Sequence, residues 1–389
     1  MDYNEAAMRM HREHRGKIEV RGKVQVRDRD GLSTAYTPGV AEPCREIVRR
    51  PEAVWELTAR GSFVAVVSDG SAVLGLGNIG PLAAMPVMEG KALLFKEFGG
   101  VDAVPICLDV HEPAEIIAAV RALAPSFGGI NLEDISAPKC FEIEEALERE
   151  LDIPVFHDDQ HGTAIVVSAA LTNALKVAER QLPDCRIVLN GPGAAGTAIT
   201  KMLLTLGARD ITVCDRAGAI FRGREGLSGH KLRLAELTNP ENRRGTLAEV
   251  LRGADVFIGV SSGGLVSKDM VRSMAKGPVV FAMANPTPEI AYEEALEAGA
   301  CVAGTGRSDC PNQINNVLAF PGVFRGALSV RAREINSAMK AAAVEALAGL
   351  VGDSLAPEHI IPDPFDERAP LAIAEAVAKA AVESGVARL

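Results

Sequence analysis

From about residue 60 to about residue 305, short apolar runs rich in β-branched residues alternate with amphipathic stretches of helix length. No other feature constrains the fold as strongly. Parallel strands need crossover segments, and a helix is the usual one, so this alternation predicts parallel sheets covered by helices, an α/β fold. Strands are expected at Phe63–Val67, Ala103–Leu108, Gly129–Leu132 and Ile153–Phe156, with helices near Pro81–Phe98, Glu112–Leu123 and Pro138–Glu150. In the second half a helix is expected from near Thr163, followed by strands at Arg186–Asn190, Ile211–Asp215, Asp255–Val260 and Val279–Ala284. Beyond Pro321 the sequence becomes alanine-rich, and long helices are expected over Ala327–Val351 and Leu371–Glu383.

The pattern G-x-G-x-x-G occurs at Gly75–Gly80 and again at Gly191–Gly196. The second copy has the context that gives the pattern meaning. Arg186–Asn190 reads as a buried strand and Thr197–Leu206 as a helix whose first amides can face a pyrophosphate. Gly191, Gly193, Ala194, Ala195 and Gly196 are therefore candidate cofactor residues in a Rossmann-type domain. Asp215 ends the next strand about twenty residues later, where a carboxylate can accept the ribose hydroxyls of NAD. Arg216, Arg222 and Arg224 follow closely enough to neutralise the 2'-phosphate of NADP, so the balance tips only slightly to NAD. The first copy lacks an acid at the corresponding distance. Its glycines, Gly77 among them, either bring backbone close to a substrate or simply turn the chain. At 389 residues the chain exceeds what one core fills. The expected division is a catalytic domain over 1–157, the dinucleotide domain over 158–315, and C-terminal helices over 316–389 packing back on the first.

Two acid pairs, Glu133-Asp134 and Asp158-Asp159, fall at the carboxyl ends of expected parallel strands, where open α/β sheets hold their ligands. Carboxylates converging there repel one another unless a cation balances them, and oxygen ligands suit Mg²⁺ or Mn²⁺; the alternative is that they cap the helices that follow. His157 and His161 stand four apart like the zinc protease pair H-E-x-x-H, but Asp158 occupies the general-base position and Gly162 follows at once, so zinc hydrolysis is rejected. Lys91 lies in a mostly apolar helix, where desolvation lowers a lysine pKa and suits it to act as a base; the alternative is a snorkelling side chain. Tyr36, one of three tyrosines, sits in the turn-forming stretch Ala35–Val40.

Taken in order, these segments resemble the malic enzyme family in its short bacterial form. The resemblance is carried by Tyr36-Thr37-Pro38-Gly39-Val40-Ala41, Ser68-Asp69-Gly70 with Leu74–Gly80, Asn131-Leu132-Glu133-Asp134, Phe156–Thr163, Ala284-Asn285-Pro286-Thr287, and the run from Gly306 through Asn315-Asn316 to Gly322. It implies oxidative decarboxylation of L-malate to pyruvate and CO₂ with reduction of NAD or NADP. Glu133, Asp134 and Asp159 would hold Mg²⁺ or Mn²⁺, Lys91 would take the hydroxyl proton with Asp158 tuning it, and Tyr36 would protonate C3 of enolpyruvate. Asn285, Asn315 or Asn316, and backbone near Gly77 would hold the malate carboxylates. Longer eukaryotic members clamp malate with an arginine where this chain has Ala72. Oxaloacetate decarboxylation and malolactic conversion share the same metal and base and stay open as alternatives, as does a catalytically silent NAD(P)-binding protein.

Composition narrows the partners. Lys and Arg total 41 against 51 Asp and Glu, a net charge of -10 that disfavours non-specific attraction to nucleic acid or an anionic membrane. No apolar run reaches the roughly 18 residues of a bilayer span, and the first residues lack a signal-peptide core, so a cytoplasmic protein is expected. Seven cysteines without a C-x-x-C pair suggest reduced thiols rather than a thiolate zinc site. Family analogy implies a homodimer or a larger even-numbered assembly.

Overall fold

The computed structural model describes residues 2–73 and 75–389; Leu74, just before the first glycine motif, lies outside them. A four-stranded sheet is built from β1 (Phe63–Ser68), β2 (Asp102–Cys107), β3 (Gly129–Leu132) and β4 (Val155–His157), all parallel, in the order β2-β1-β3-β4. The second sheet contains β5 (Arg186–Asn190), β6 (Asp210–Asp215), β7 (Gly218–Ala219), β8 (Val256–Gly259), β9 (Val279–Ala282) and β10 (Val302–Thr305), in the order β10-β9-β8-β5-β6-β7. Counted along the chain, this is the 3-2-1-4-5-6 arrangement of dinucleotide-binding folds, with its third strand cut to the two-residue antiparallel β7. Each sheet reverses its winding beside its first strand, between β1 and β3 and between β5 and β8, which opens a crevice at the carboxyl ends there.

The Asp158–Val177 helix runs between the sheets and is apolar nearly all round, with Ile165, Val166, Val167, Leu171 and Leu175 all buried. One core cluster extends from Val64 and Val66 of β1 through this helix to Ile187 of β5 and Phe281 of β9, so the two sheets share a core. Three C-terminal helices, Phe320–Ser329, Ser337–Gly349 and Arg368–Glu383, complete it. Phe320 and Phe324 pack against Phe95, tilted and edge-on, at 4.7 and 5.3 Å between ring centroids, which ties the C-terminal segment to the first sheet's Gly80–Gly99 helix.

Two expected elements differ from those observed. The helix expected from Thr163 begins at Asp158. β4 feeds directly into it through the extended His157, and acids in a first turn are favoured by the helix dipole. Gly162 is needed because a Cβ there would overlap the Asp158 carboxylate. The single stretch Ala327–Val351 is two helices, broken where Arg331 adopts a φ of 49° and Asn336 caps the second by accepting the Met339 N–H at 3.1 Å.

The N-terminal helices Tyr3–His14, Arg29–Ala35 and Ala41–Arg49 bury no side chain. The arm after the first is pinned by Lys17, which donates its N–H to Glu89 at 3.0 Å and its Nζ to the Pro86 carbonyl at 2.7 Å. Among the described residues, no helix is long and apolar enough to cross a membrane.

Candidate active site

The crevice of the first sheet gathers Glu133 and Asp134 from the end of β3 and Asp158 and Asp159 from the end of β4. One carboxylate oxygen each from Glu133, Asp134 and Asp159 lie within 4.8 Å of one another. Asp134 adopts a left-handed φ of 53°, which aspartate tolerates better than most residues, and its N–H donates to Asp159 Oδ2 at 2.8 Å. The loop after β1 braces this turn. Ala72 N–H donates to the Asp134 carbonyl at 2.9 Å, and Ser136 N–H donates to Ser71 Oγ at 2.9 Å. Ser71 in turn donates to the buried Asp69, which is ion-paired with Lys139.

Lys91 reaches in from the Gly80–Gly99 helix. Its Nζ lies 2.6 Å from Asp158 Oδ2, 2.9 Å from Glu133 Oε1, and 4.3 Å above the Phe320 ring. Burial alone would lower its pKa, as the sequence suggested, but the two carboxylates outweigh burial and hold it above the ordinary lysine value. The expected lowering of the Lys91 pKa is therefore corrected to a rise. Glu133 is raised well above the usual carboxylate range, first by burial and then by Asp159, Asp158 and Asp134, despite Lys91. Burial also raises Asp158. At an effective dielectric of about 20, two carboxylates roughly 5 Å apart repel by about 3 kcal/mol. Four clustered acids facing one ammonium, with hard oxygen donors converging, fit a divalent cation of the Mg²⁺ or Mn²⁺ type.

Asn316 joins the group by donating its Nδ2 to Asp158 Oδ2 at 3.1 Å. Asn315 instead turns its Oδ1 to the Val317 N–H at 3.0 Å, capping a short turn. Gly77 is exposed with a φ of 79°, and its loop approaches the end of β9, where a Cβ on Gly75 would lie 3.0 Å from the Asn285 carbonyl. The Asn285 amide packs against Gly306. Tyr36 stands apart. It is 67% exposed, and among the described residues no hydrogen bond links its phenol to Lys91 or the acids.

The second crevice is a cleft of about 950 Å³ whose lining includes Asn190, Gly191, Gly193, Asp215, Lys231 and Ser261. The Ala194–Thr205 helix starts at its rim, and a Cβ on Gly196 would overlap the Gly191 carbonyl, so glycine is required for this helix to approach the turn. Asp215 is already engaged. Arg224 donates to both its oxygens at 2.7 and 2.9 Å, Lys231 at 2.8 Å and the Ala217 N–H at 3.0 Å. Burial pushes the Asp215 pKa up, but Lys231 and Arg224 bring it below its ordinary value. Of the arginines expected near a 2'-phosphate, Arg222 donates to the Glu236 carbonyl and Arg216 lines the cleft. Lys231, sixteen residues past Asp215, went unnoticed in the sequence.

Glu144 was missed as well. It lies in the Lys139–Glu150 helix on the buried stripe of Cys140, Ile143 and Leu147, and an acid at such a position is the signal that marks it. His161 Nε2 stands 2.9 Å from Glu144, whereas His157 Nε2 stands 3.1 Å from Asp159, so the two histidines diverge and form no zinc pair. Burial pushes the Glu144 pKa up, yet His161 and neighbouring cations bring it down to about 2.

Comparison with known proteins finds one family across both halves of the chain. The family description "Malic enzyme, N-terminal domain" matches residues 15–115, and "Malic enzyme, NAD binding domain" matches residues 160–382. The bifunctional malic/malolactic enzyme of Bacillus subtilis is 57% identical over 391 residues, covering 100% of this chain and 95% of that protein. An NADP-dependent malic enzyme of Rhizobium meliloti is 51% identical over 96% of this chain and 51% of its own length. The solved structure of an NAD-dependent malic enzyme from Thermotoga maritima superimposes with a TM-score of 0.93 at 51% identity, covering 96% of this chain and 98% of that one. With both halves matched and the acids gathered beside a dinucleotide fold, the chain belongs to the malic enzyme family.

Proposed function

We propose that the chain converts L-malate and NAD(P)⁺ to pyruvate, CO₂ and NAD(P)H, using a divalent cation held by Glu133, Asp134 and Asp159. The observation that carries this reading is the Lys91 ammonium held between the buried Asp158 and Glu133, beside the converging oxygens of Glu133, Asp134 and the half-buried Asp159. When bound, Mg²⁺ or Mn²⁺ supplies Lewis acidity toward the substrate hydroxyl and charge to balance the carboxylates. Lys91 Nζ takes the C2 hydroxyl proton as hydride leaves C2 for the nicotinamide. To do so it must first be neutral, and Asp158, at 2.6 Å, is placed to take the proton that Lys91 gives up. The Asn316 and Asn285 amides orient the carboxylates of malate, and after loss of CO₂ the Tyr36 phenol delivers a proton to C3 of enolpyruvate. Residues 1–157 and the C-terminal helices of 316–389 group together, a grouping supported by the Phe95–Phe320 contact, while 158–315 carries the cofactor and lends Asp158, Asp159 and Asn285 to the shared site.

With L-malate, Mn²⁺ and either cofactor, pyruvate and reduced cofactor should appear in equal amounts. Lactate without free NADH would support malolactic turnover instead, a second reading favoured by the name of the Bacillus relative. Cofactor binding without any product would mark a silent protein.

Because Arg224 and Lys231 saturate Asp215, the acid is a weaker barrier to a 2'-phosphate than its position suggests. Both cofactors should be accepted, with Lys231 and Arg216 favouring the phosphate. Lys231→Ala is expected to lower kcat/KM for NADP⁺ about tenfold more than for NAD⁺, a difference of about 1.4 kcal/mol read from parallel assays.

The N-terminal helices support a homodimer or a larger even-numbered assembly. Leu32, Tyr36, Val40 and Val48 are all exposed in a segment that buries nothing, as expected if a second copy covers it. Tyr36 then completes the site from within that interface. Sedimentation at micromolar concentration should give an even multiple of the 41.0 kDa chain, and a monomer would contradict this assembly.

A further inference from the structure

Glu144 performs no step in the reaction above, yet it is among the most deeply engaged carboxylates in the molecule. Only 5% exposed, it accepts the His157 N–H at 2.9 Å and the Gln160 Nε2 at 2.7 Å, and it pairs with His161 Nε2 at 2.9 Å. Gln160 Nε2 also lies 2.9 Å from His157 Nδ1, and the other nitrogen of that ring faces Asp159 Oδ2 at 3.1 Å. A single carboxylate on the Lys139–Glu150 helix thus grips residues 157, 160 and 161, which flank Asp158 and Asp159 on both sides. A buried charge is costly unless donors surround it, and here the donors all come from the turn that carries the acids.

We propose that Glu144 is a positioning residue for the cation site. By fixing the rotation of the first turn of the Asp158–Val177 helix, it aims Asp159 at Glu133 and Asp134 and keeps Asp158 on Lys91. This inference rests on the metal reading given under Proposed function. Residues that orient metal ligands from outside the coordination shell contribute about 10- to 100-fold to metal affinity.

The test measures Mn²⁺ binding directly, by the electron paramagnetic resonance signal of free Mn²⁺, on the full chain without substrate. Glu144→Gln keeps the side-chain volume but loses the charge and one acceptor oxygen. It is expected to raise the Mn²⁺ Kd by about tenfold or more while the Kd for NADH, read by fluorescence, changes by less than about twofold. A role in stability alone would lower the melting temperature and leave both constants where they were. A folded Glu144→Gln chain with wild-type Mn²⁺ affinity overturns the proposal. If that variant does not fold, Gln160→Ala removes one arm of the grip, and an unchanged Mn²⁺ Kd there overturns it equally. Failure of the metal reading is distinguishable, because then the wild-type chain itself would bind no Mn²⁺, or would bind it as well with Asp159→Asn.

Discussion

Lys91→Met is expected to lower kcat with L-malate by a factor of about 10² to 10⁴, the contribution of a positioned base, while NADH affinity stays within about twofold of wild type. The two readouts separate because Lys91 sits at the crevice of the first sheet, whereas the cofactor cleft belongs to the second. The variant carries a further cost. Lys91 is the ammonium paired with both Asp158 and Glu133, and removing one partner of a buried ion pair destabilises by about 3–5 kcal/mol unless the acids left behind take up protons or a cation. Melting temperatures taken with and without Mn²⁺ should therefore differ more for Lys91→Met than for wild type. Full turnover in the variant would remove Lys91 from the base's role.

Asp159→Asn is expected to weaken Mn²⁺ binding by more than about 10², beyond the range for residues acting from outside the coordination shell. The asparagine oxygen can still accept the Asp134 N–H that Asp159 now accepts at 2.8 Å, so the turn should keep its shape and the chain its stability. A titration of Mn²⁺ against pyruvate formation should move to far higher concentrations, with much of kcat recovered at saturation. An unchanged titration would exclude Asp159 as a ligand.

Much of this site was legible in the sequence because strand ends are legible. Glu133-Asp134 and Asp158-Asp159 each follow an apolar run, and parallel strands bring such ends to one edge. The direction of the Lys91 shift was not legible, since it depends on Glu133 and Asp158 arriving from beyond the ends of β3 and β4. Glu144 and Lys231 act through contacts across helices and loops, which no local pattern encodes; only the place of Glu144 on an apolar stripe hinted at burial. The break between Ala327 and Val351 was hidden by alanine's strong helix preference, although Asn336 was a visible capping residue.

Asp158 and Asp159 are consecutive residues in the opening turn of one helix, so their side chains leave its axis about 100° apart. That angle divides the labour: one carboxylate attends to the lysine, and its neighbour turns toward the other two acids. A single residue inserted just ahead of them would swing both through the same angle. Base chemistry and cation chemistry are therefore geared together by helical pitch, and neither can drift in evolution without dragging the other along.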